Sequence, residues 1–167
     1  MREILLTFFY SGKAKKAPGT FGSLATILFW IIITSIFAKL EIALFIQNIF
    51  WIIFLTLAFF YGMLNSEGYA AKFGEIDHPS IVLDEVVGQI IALQIGFIFY
   101  YKNYFSLKFA SLHILIAFVL FRFLDIKKPL FIGYFDRNLK NGFGVMFDDL
   151  VSGIIAGIAT IFILGSI

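Results

Sequence analysis

Cysteine is absent from this 167-residue chain. Its absence excludes disulfides, thiolate metal centres and any phosphatase or protease built on a cysteine nucleophile. Histidine occurs only twice, at His78 and His113. Phosphoryl transfer through a phosphohistidine is disfavoured, because it wants one nucleophilic histidine and a second to activate it. Charge is scarce too: 14% of residues are charged and the formal net charge is +2. A nucleic-acid partner needs a clustered basic excess, and none is indicated. Neither a P-loop nor an Asp-x-Asp-x-Thr motif occurs. Without a convincing cleavage site after it, the first apolar run is expected to remain as a membrane span rather than a signal peptide.

Apolar residues are in excess. They make up 60% of the chain, 23 of them Phe, and the mean hydropathy is +0.95. Soluble domains are about 45–50% apolar, so the excess points to lipid. Apolar runs at about 20–39, 42–64, 84–101, 109–124 and 148–167 approach the ~20 residues that cross a bilayer core. The third and fourth are short enough to be tilted or partly embedded. The expected fold is a single all-α domain over 1–167, a polytopic membrane bundle of about five membrane-associated helices. Crossing five times puts Arg2, Lys13, Lys15, Lys16, Lys72, Arg122, Lys127, Lys128, Arg137 and Lys140 on one side, ten of the 13 basic residues. That side is expected to be the cytoplasm. Ten of the 11 acids fall on the same face, all but Glu41.

The stretch 121–153 organises the chain, and the adjacent Asp148 and Asp149 are its centre. Asp84-Glu85 forms a second pair. Each pair is read as opening a long apolar helix, where first-turn acids are favoured by the macrodipole at about 0.3–1 kcal/mol each. That structural reading competes with a chemical one. Two carboxylate pairs at a membrane surface are costly unless a cation compensates them, and hard oxygen donors of this kind suit Mg²⁺. Asp149 lies four residues before Gly153 in a Gly153-x-x-x-Gly157 pattern. Close packing of that face would carry Asp149 towards a neighbouring helix.

Arg122, Asp125 and Lys128 are spaced i, i+3, i+6, with Pro129 expected to end their helix. On one face they would offer a guanidinium fork and a point charge to a phosphate; as topology anchors they would only mark the cytoplasmic side. The loop 11–23 has glycines at 12, 19 and 22, hydroxyls including Thr20 and Ser23, and lysines at 13, 15 and 16. A helix starting near Thr20 would aim free N–H groups at an anion. His78, beside Asp77, is either a proton donor or ligand, or an ordinary loop residue. His113 is read as packed. These residues leave two classes open. One is an enzyme using carboxylate-held metal, and the other a transporter subunit using the same carboxylates for ions or solutes.

Four blocks resemble a known family. They are Ala17-Pro18-Gly19-Thr20-Phe21-Gly22-Ser23-Leu24, Asp77 to Gly88, Phe121 to Pro129, and Tyr134 to Asn138 with Gly142 to Gly153. In order and content they are similar to phosphatidylglycerophosphatase A, a bacterial inner-membrane lipid phosphatase. The resemblance implies Mg²⁺-dependent hydrolysis of phosphatidylglycerophosphate, a phospholipid monophosphate, at the cytoplasmic face. From the paired acids, Asp84, Glu85, Asp125, Asp148 and Asp149 are expected to be catalytic, with Asp77 joining the two pairs around metal. Substrate would meet Thr20, Ser23, Arg122, Lys128 and Arg137. Phe131 stands where the family usually has proline, and Ser152 where it often has alanine. Both departures leave the carboxylates in place.

Overall fold

A computed structural model describes residues 1–73, 78–101, 106–129, 132–133, 139 and 141–166. In hydrocarbon every backbone N–H and C=O must be satisfied within its own segment, and these apolar runs accordingly fold as helices. Among the described residues there are six: α1 (Arg2–Leu6), α2 (Pro18–Lys39), α3 (Leu44–Ala70), α4 (Leu83–Phe99), α5 (Leu107–Lys127) and α6 (Gly142–Gly165). Short 3-10 turns cover Ser11–Lys13 and Ala71–Phe73. The three prolines all stand at helix margins: Pro18 opens α2, Pro79 lies in the turn before α4, and Pro129 follows α5. That is where a residue without an N–H does least harm.

Among the described residues four helices are long and apolar enough to cross a membrane: α2, α3 with its 3-10 extension to Phe73, α5 and α6. Less than a quarter of the apolar stretch of α2, α3 or α5 is buried. Leu28, Ile52, Phe60, Leu115 and Phe123 are all exposed. A surface this apolar is covered by lipid.

The third run, expected to be short and tilted or partly embedded, is indeed the shortest of the five and is enclosed by the others. α4 has 17 residues, 12 of them buried. It packs most extensively on α6 and also on α2, α3 and α5. Surrounded by protein, it is the core of the bundle. Polar side chains tie it to its neighbours: Trp30 Nε1 donates to Gln94 Oε1 at 3.0 Å, and Gln94 Nε2 donates to Asn48 Oδ1 at 2.9 Å. Such bonds join helices where apolar surface alone provides no preference over lipid.

Two boundaries also move. α3 continues six residues past the expected end at 64, carrying Glu67 within it. Its Oε1 accepts from the N–H of Gly142 at 2.5 Å and so caps the start of α6. That start lies six residues earlier than expected, with Asn141 Oδ1 accepting from Gly144 N–H at 2.9 Å. Asp148 and Asp149 are therefore inside α6, past its first turn. The macrodipole account of that acid pair does not hold, because the effect fades within the first turn.

Candidate active site

The first turns of α2, α4 and α6 and the last turn of α5 meet at one end of the bundle. They enclose a cavity of about 580 Å³, lined by Ala17–Thr20, Pro79, Ile81, Asp84, Glu85, Arg122, Asp125, Ile126, Lys128, Leu139, Gly144, Val145, Asp148 and Asp149. Three of the four contributing helix ends are N-termini, the ends whose free N–H groups and dipole attract anions.

Close backbone contact between α4 and α6 sets the centre of the cavity. Gly153 lies against Gly88, and Gly157 lies over Ala92 and Ile95. Neither helix could approach so closely with a side chain at these points. One turn before the crossing, Asp84, Glu85 and Asp149 present carboxylate oxygens that all lie within 4.8 Å of one another. Asp149 is 3% exposed. Its Oδ1 and the Oε2 of Glu85 are buried with no hydrogen-bond partner among the described residues. Gly19 is the third close approach: a Cβ there would strike Glu85 Oε1 and come within 3.1 Å of both terminal Arg122 nitrogens.

Arg122 stands beside the triad. Its Nη1 is 2.6 Å from Asp125 Oδ2 and 3.8 Å from Glu85 Oε1, and it donates to Ser23 Oγ at 3.4 Å. The Arg122 Nε is buried without a partner among the described residues. Lys128 follows the end of α5 in a left-handed conformation, φ 42°. From there its Nζ reaches Asp148 Oδ2 at 2.5 Å. Five acids and two cations line the cavity, so formally three negative charges (five minus two) are in excess.

Several expected site residues converge here, though in altered roles. Asp84, Glu85 and Asp149 form the cluster able to hold a cation. Asp148, one residue away, turns instead to Lys128, and its Oδ1 accepts from the Asp149 N–H at 3.0 Å. Arg122 and Asp125 pair at their i, i+3 spacing, whereas Lys128 is not on their helical face, because α5 has ended. Thr20 lines the cavity. Ser23 does not: it is fully buried, donates to the Gly19 carbonyl at 3.0 Å and accepts from Arg122. Ser23, expected to contact substrate, is placed here behind Arg122. Asp77 and Arg137 lie outside the described residues. His113 is buried against Gly96, as a packed histidine should be. Sequence reasoning placed Gly19 in an anion-facing loop, and its partner, Glu85, some sixty residues away in the chain, is what the structure adds.

Residues 4–164 match the phosphatidylglycerophosphatase A family. The chain belongs to that family. It is 40% identical to phosphatidylglycerophosphatase A of Haemophilus influenzae over 92% of this chain and 83% of that protein. With the Escherichia coli K12 protein of the same name it shares 34% identity over 92% of its own length and 78% of the other. A Bacteroides thetaiotaomicron protein described as a candidate phosphatidylinositol-3-phosphatase is 31% identical over 89% of this chain and 84% of that one. No solved structure matches the chain. As a family member the chain is an enzyme, a phosphatase with membrane helices, and the transporter-subunit alternative falls away.

Proposed function

We propose that the carboxylate cavity is where this phosphatidylglycerophosphatase A removes the terminal phosphate of phosphatidylglycerophosphate, with Mg²⁺ held by Asp84, Glu85 and Asp149. The activity follows from the family; the observation that supports the site is the buried triad with its two orphaned oxygens. Burying carboxylate oxygens without partners is expensive unless a cation offsets them. Hard, small-oxygen donor sets of this kind fit Mg²⁺, which takes one or two carboxylates together with phosphate oxygens and water. A bound Mg²⁺ would supply Lewis-acid polarisation of the phosphoryl group.

The chain's own residues do the rest. A phosphate dianion cannot enter a cavity with three excess negative charges unless cations precede it. Arg122, oriented by Asp125 and Ser23, offers the outer end of its guanidinium to phosphate oxygens. Lys128, tethered by Asp148, adds a point charge, and Thr20 and the α2 N-terminus complete the anion side. Water adds to phosphorus, the bond from phosphorus to the glycerol oxygen breaks, and that oxygen takes a proton to leave phosphatidylglycerol and inorganic phosphate. Asp125 and Asp148 serve by positioning the two cationic side chains. Arg137 and Asp77 retain their expected roles as phosphate and metal contacts.

Acyl chains leave a bilayer only at about 0.8 kcal/mol per CH₂, so the cavity must receive its substrate at headgroup depth. The basic majority on the cavity's side supports reading it as facing the cytoplasm from the inner membrane. The deciding experiment is phosphate release by purified protein from phosphatidylglycerophosphate and other lipid phosphates, with Mg²⁺ and with chelator. Full release under chelation would sink the metal assignment.

A further inference from the structure

A second cavity, of about 610 Å³, adjoins the first and shares Pro18 and Pro79 with it as a common wall. It is bounded by Gly12–Lys15 on one side and by Tyr69, Phe73, His78 and Ser80 on the other, with Glu3 at the rim. Its chemistry differs from that of the carboxylate cavity. Lys13 pairs with Glu3 at 2.6 Å and cancels that charge. Lys15 is exposed and makes no ion pair among the described residues. Lys72 lies nearby, 5.9 Å over the Tyr69 ring. Among the described residues the balance at the rim is therefore positive.

The inner wall is a built hydrogen-bond relay. Ser80 N–H is 3.2 Å from His78 Nδ1 and donates to it; in the tautomer that accepts there, the ring proton is on Nε2. Ser80 Oγ lies 2.7 Å from the same Nδ1 and 3.3 Å from the Tyr69 hydroxyl. In that tautomer Ser80 O–H donates to His78 Nδ1, Tyr69 O–H donates to Ser80 Oγ, and the remaining imidazole N–H is a donor. Phe73 lies against the His78 ring, tilted by 32° with centroids 4.1 Å apart. Gly12 packs directly on the Ser80 carbonyl, and Val82 N–H donates to the Leu6 carbonyl at 3.0 Å. The basic loop is thus fixed against the relay.

We infer that this second cavity binds the other phosphate of the substrate, the diester that joins its glycerol headgroup to the diacylglycerol, through Lys15 and the His78 N–H. The inference rests on the reading of the first cavity as the site of the terminal monoester. Phosphatidylglycerophosphate carries two phosphates one glycerol apart, and the chain offers two adjoining cavities, one suited to metal and monoester and one with basic donors and, among the described residues, no excess carboxylate. The short wall of Pro18 and Pro79 is the span the glycerol crosses. The second cavity thereby selects lipids with a phosphate on each side of that glycerol over those with a single monoester.

The test is binding of short-chain phosphatidylglycerol, which keeps the diester and lacks the monoester, to detergent-solubilised protein. Chain-matched diacylglycerol is the comparison ligand. Wild type should prefer phosphatidylglycerol, Lys15→Arg should keep the preference, and Lys15→Gln should reduce it about tenfold, the scale of one charge-assisted contact. Lys15→Glu should abolish it, with KM for phosphatidylglycerophosphate rising in the same order. Lys39→Gln, at the far end of α2, should change neither quantity. Equal binding of both ligands by wild type, or a preference untouched by Lys15→Glu, overturns the subsite. Because binding is read without turnover, a wild type that prefers phosphatidylglycerol yet hydrolyses no phosphatidylglycerophosphate would refute the reaction and leave the subsite standing.

Discussion

Gly153 of α6 rests directly on Gly88 of α4: a Cβ on Gly153 would strike the Gly88 carbonyl oxygen and lie 2.8 Å from its Cα. Glu85 is three residues before Gly88 and Asp149 four before Gly153, so both carboxylates are one helical turn above the contact and on its side. The separation of the two backbones at the glycines thus sets the separation of the acids.

Gly153→Ala should therefore damage the site from a position that touches no substrate. The colliding atoms are backbone and cannot swing away, so α6 must shift. Overpacking of this kind costs about 1–3 kcal/mol, and a displacement of about 1 Å at the triad would lower turnover on the order of 10²-fold. Thermal unfolding in detergent and phosphate release on the same preparation check both effects. Wild-type turnover in a normally folded Gly153→Ala protein would show that the acids do not depend on this crossing.

Metal should appear as stability before it appears as rate. A cation that binds only the folded triad stabilises by mass action, by about 2.7 kcal/mol at a hundredfold excess over Kd. Mg²⁺ should raise the Tm of wild type, and chelator should reverse the rise. Glu85→Gln and Asp149→Asn should each lose most of the shift together with activity. Without metal, Asp149→Asn should unfold no lower than wild type, because a buried carboxylate among like charges has been neutralised. A Tm that ignores Mg²⁺ in wild type would count against the triad as its site.

Much of this arrangement was legible in the sequence, and the reasons for the rest are geometric. Hydropathy located all five long helices, and the Asp149–Gly153 spacing pointed to the face that meets α4. Composition could not show that α4 is enclosed, because a run that faces lipid and one that faces protein are equally apolar. Nor could it separate Asp148 from Asp149: adjacent residues on a helix point about 100° apart, and rotation of α6 about the glycine contact decides which one joins Glu85. The helix start at Gly142 depends on Glu67, 75 residues earlier. Ser23 was read as a substrate contact from its loop, yet helical periodicity after Pro18 turns it inward, where it meets Arg122.

Arg122 and its supports should separate by magnitude. Arg122→Lys keeps the charge but loses the planar fork, and turnover should fall about 10²- to 10³-fold, the scale of removing one oriented donor from developing charge. Ser23→Ala removes a single 3.4 Å contact worth about 0.5–1.5 kcal/mol, so a loss of about tenfold at most is expected. Steady-state phosphate release gives both values. A Ser23→Ala defect as deep as that of Arg122→Lys would restore a direct role for the hydroxyl.

Orientation in the membrane can be read from a single helix. The chain has no cysteine, so one introduced thiol is the only one to label. α2 begins at Pro18 and ends at Lys39, 22 residues that rise about 33 Å, enough to cross a core of about 30 Å. Lys16 and Lys39 are both exposed and flank its two ends. With the basic majority in the cytoplasm, Lys39→Cys should react with an impermeant maleimide in intact cells, and Lys16→Cys only after permeabilisation. Pro18 to Thr20 line the carboxylate cavity, two residues beyond Lys16, so the label on Lys16→Cys reports the cavity's side as well. Reaction of Lys16→Cys in intact cells would turn both the bundle and its phosphatase site to the outer face.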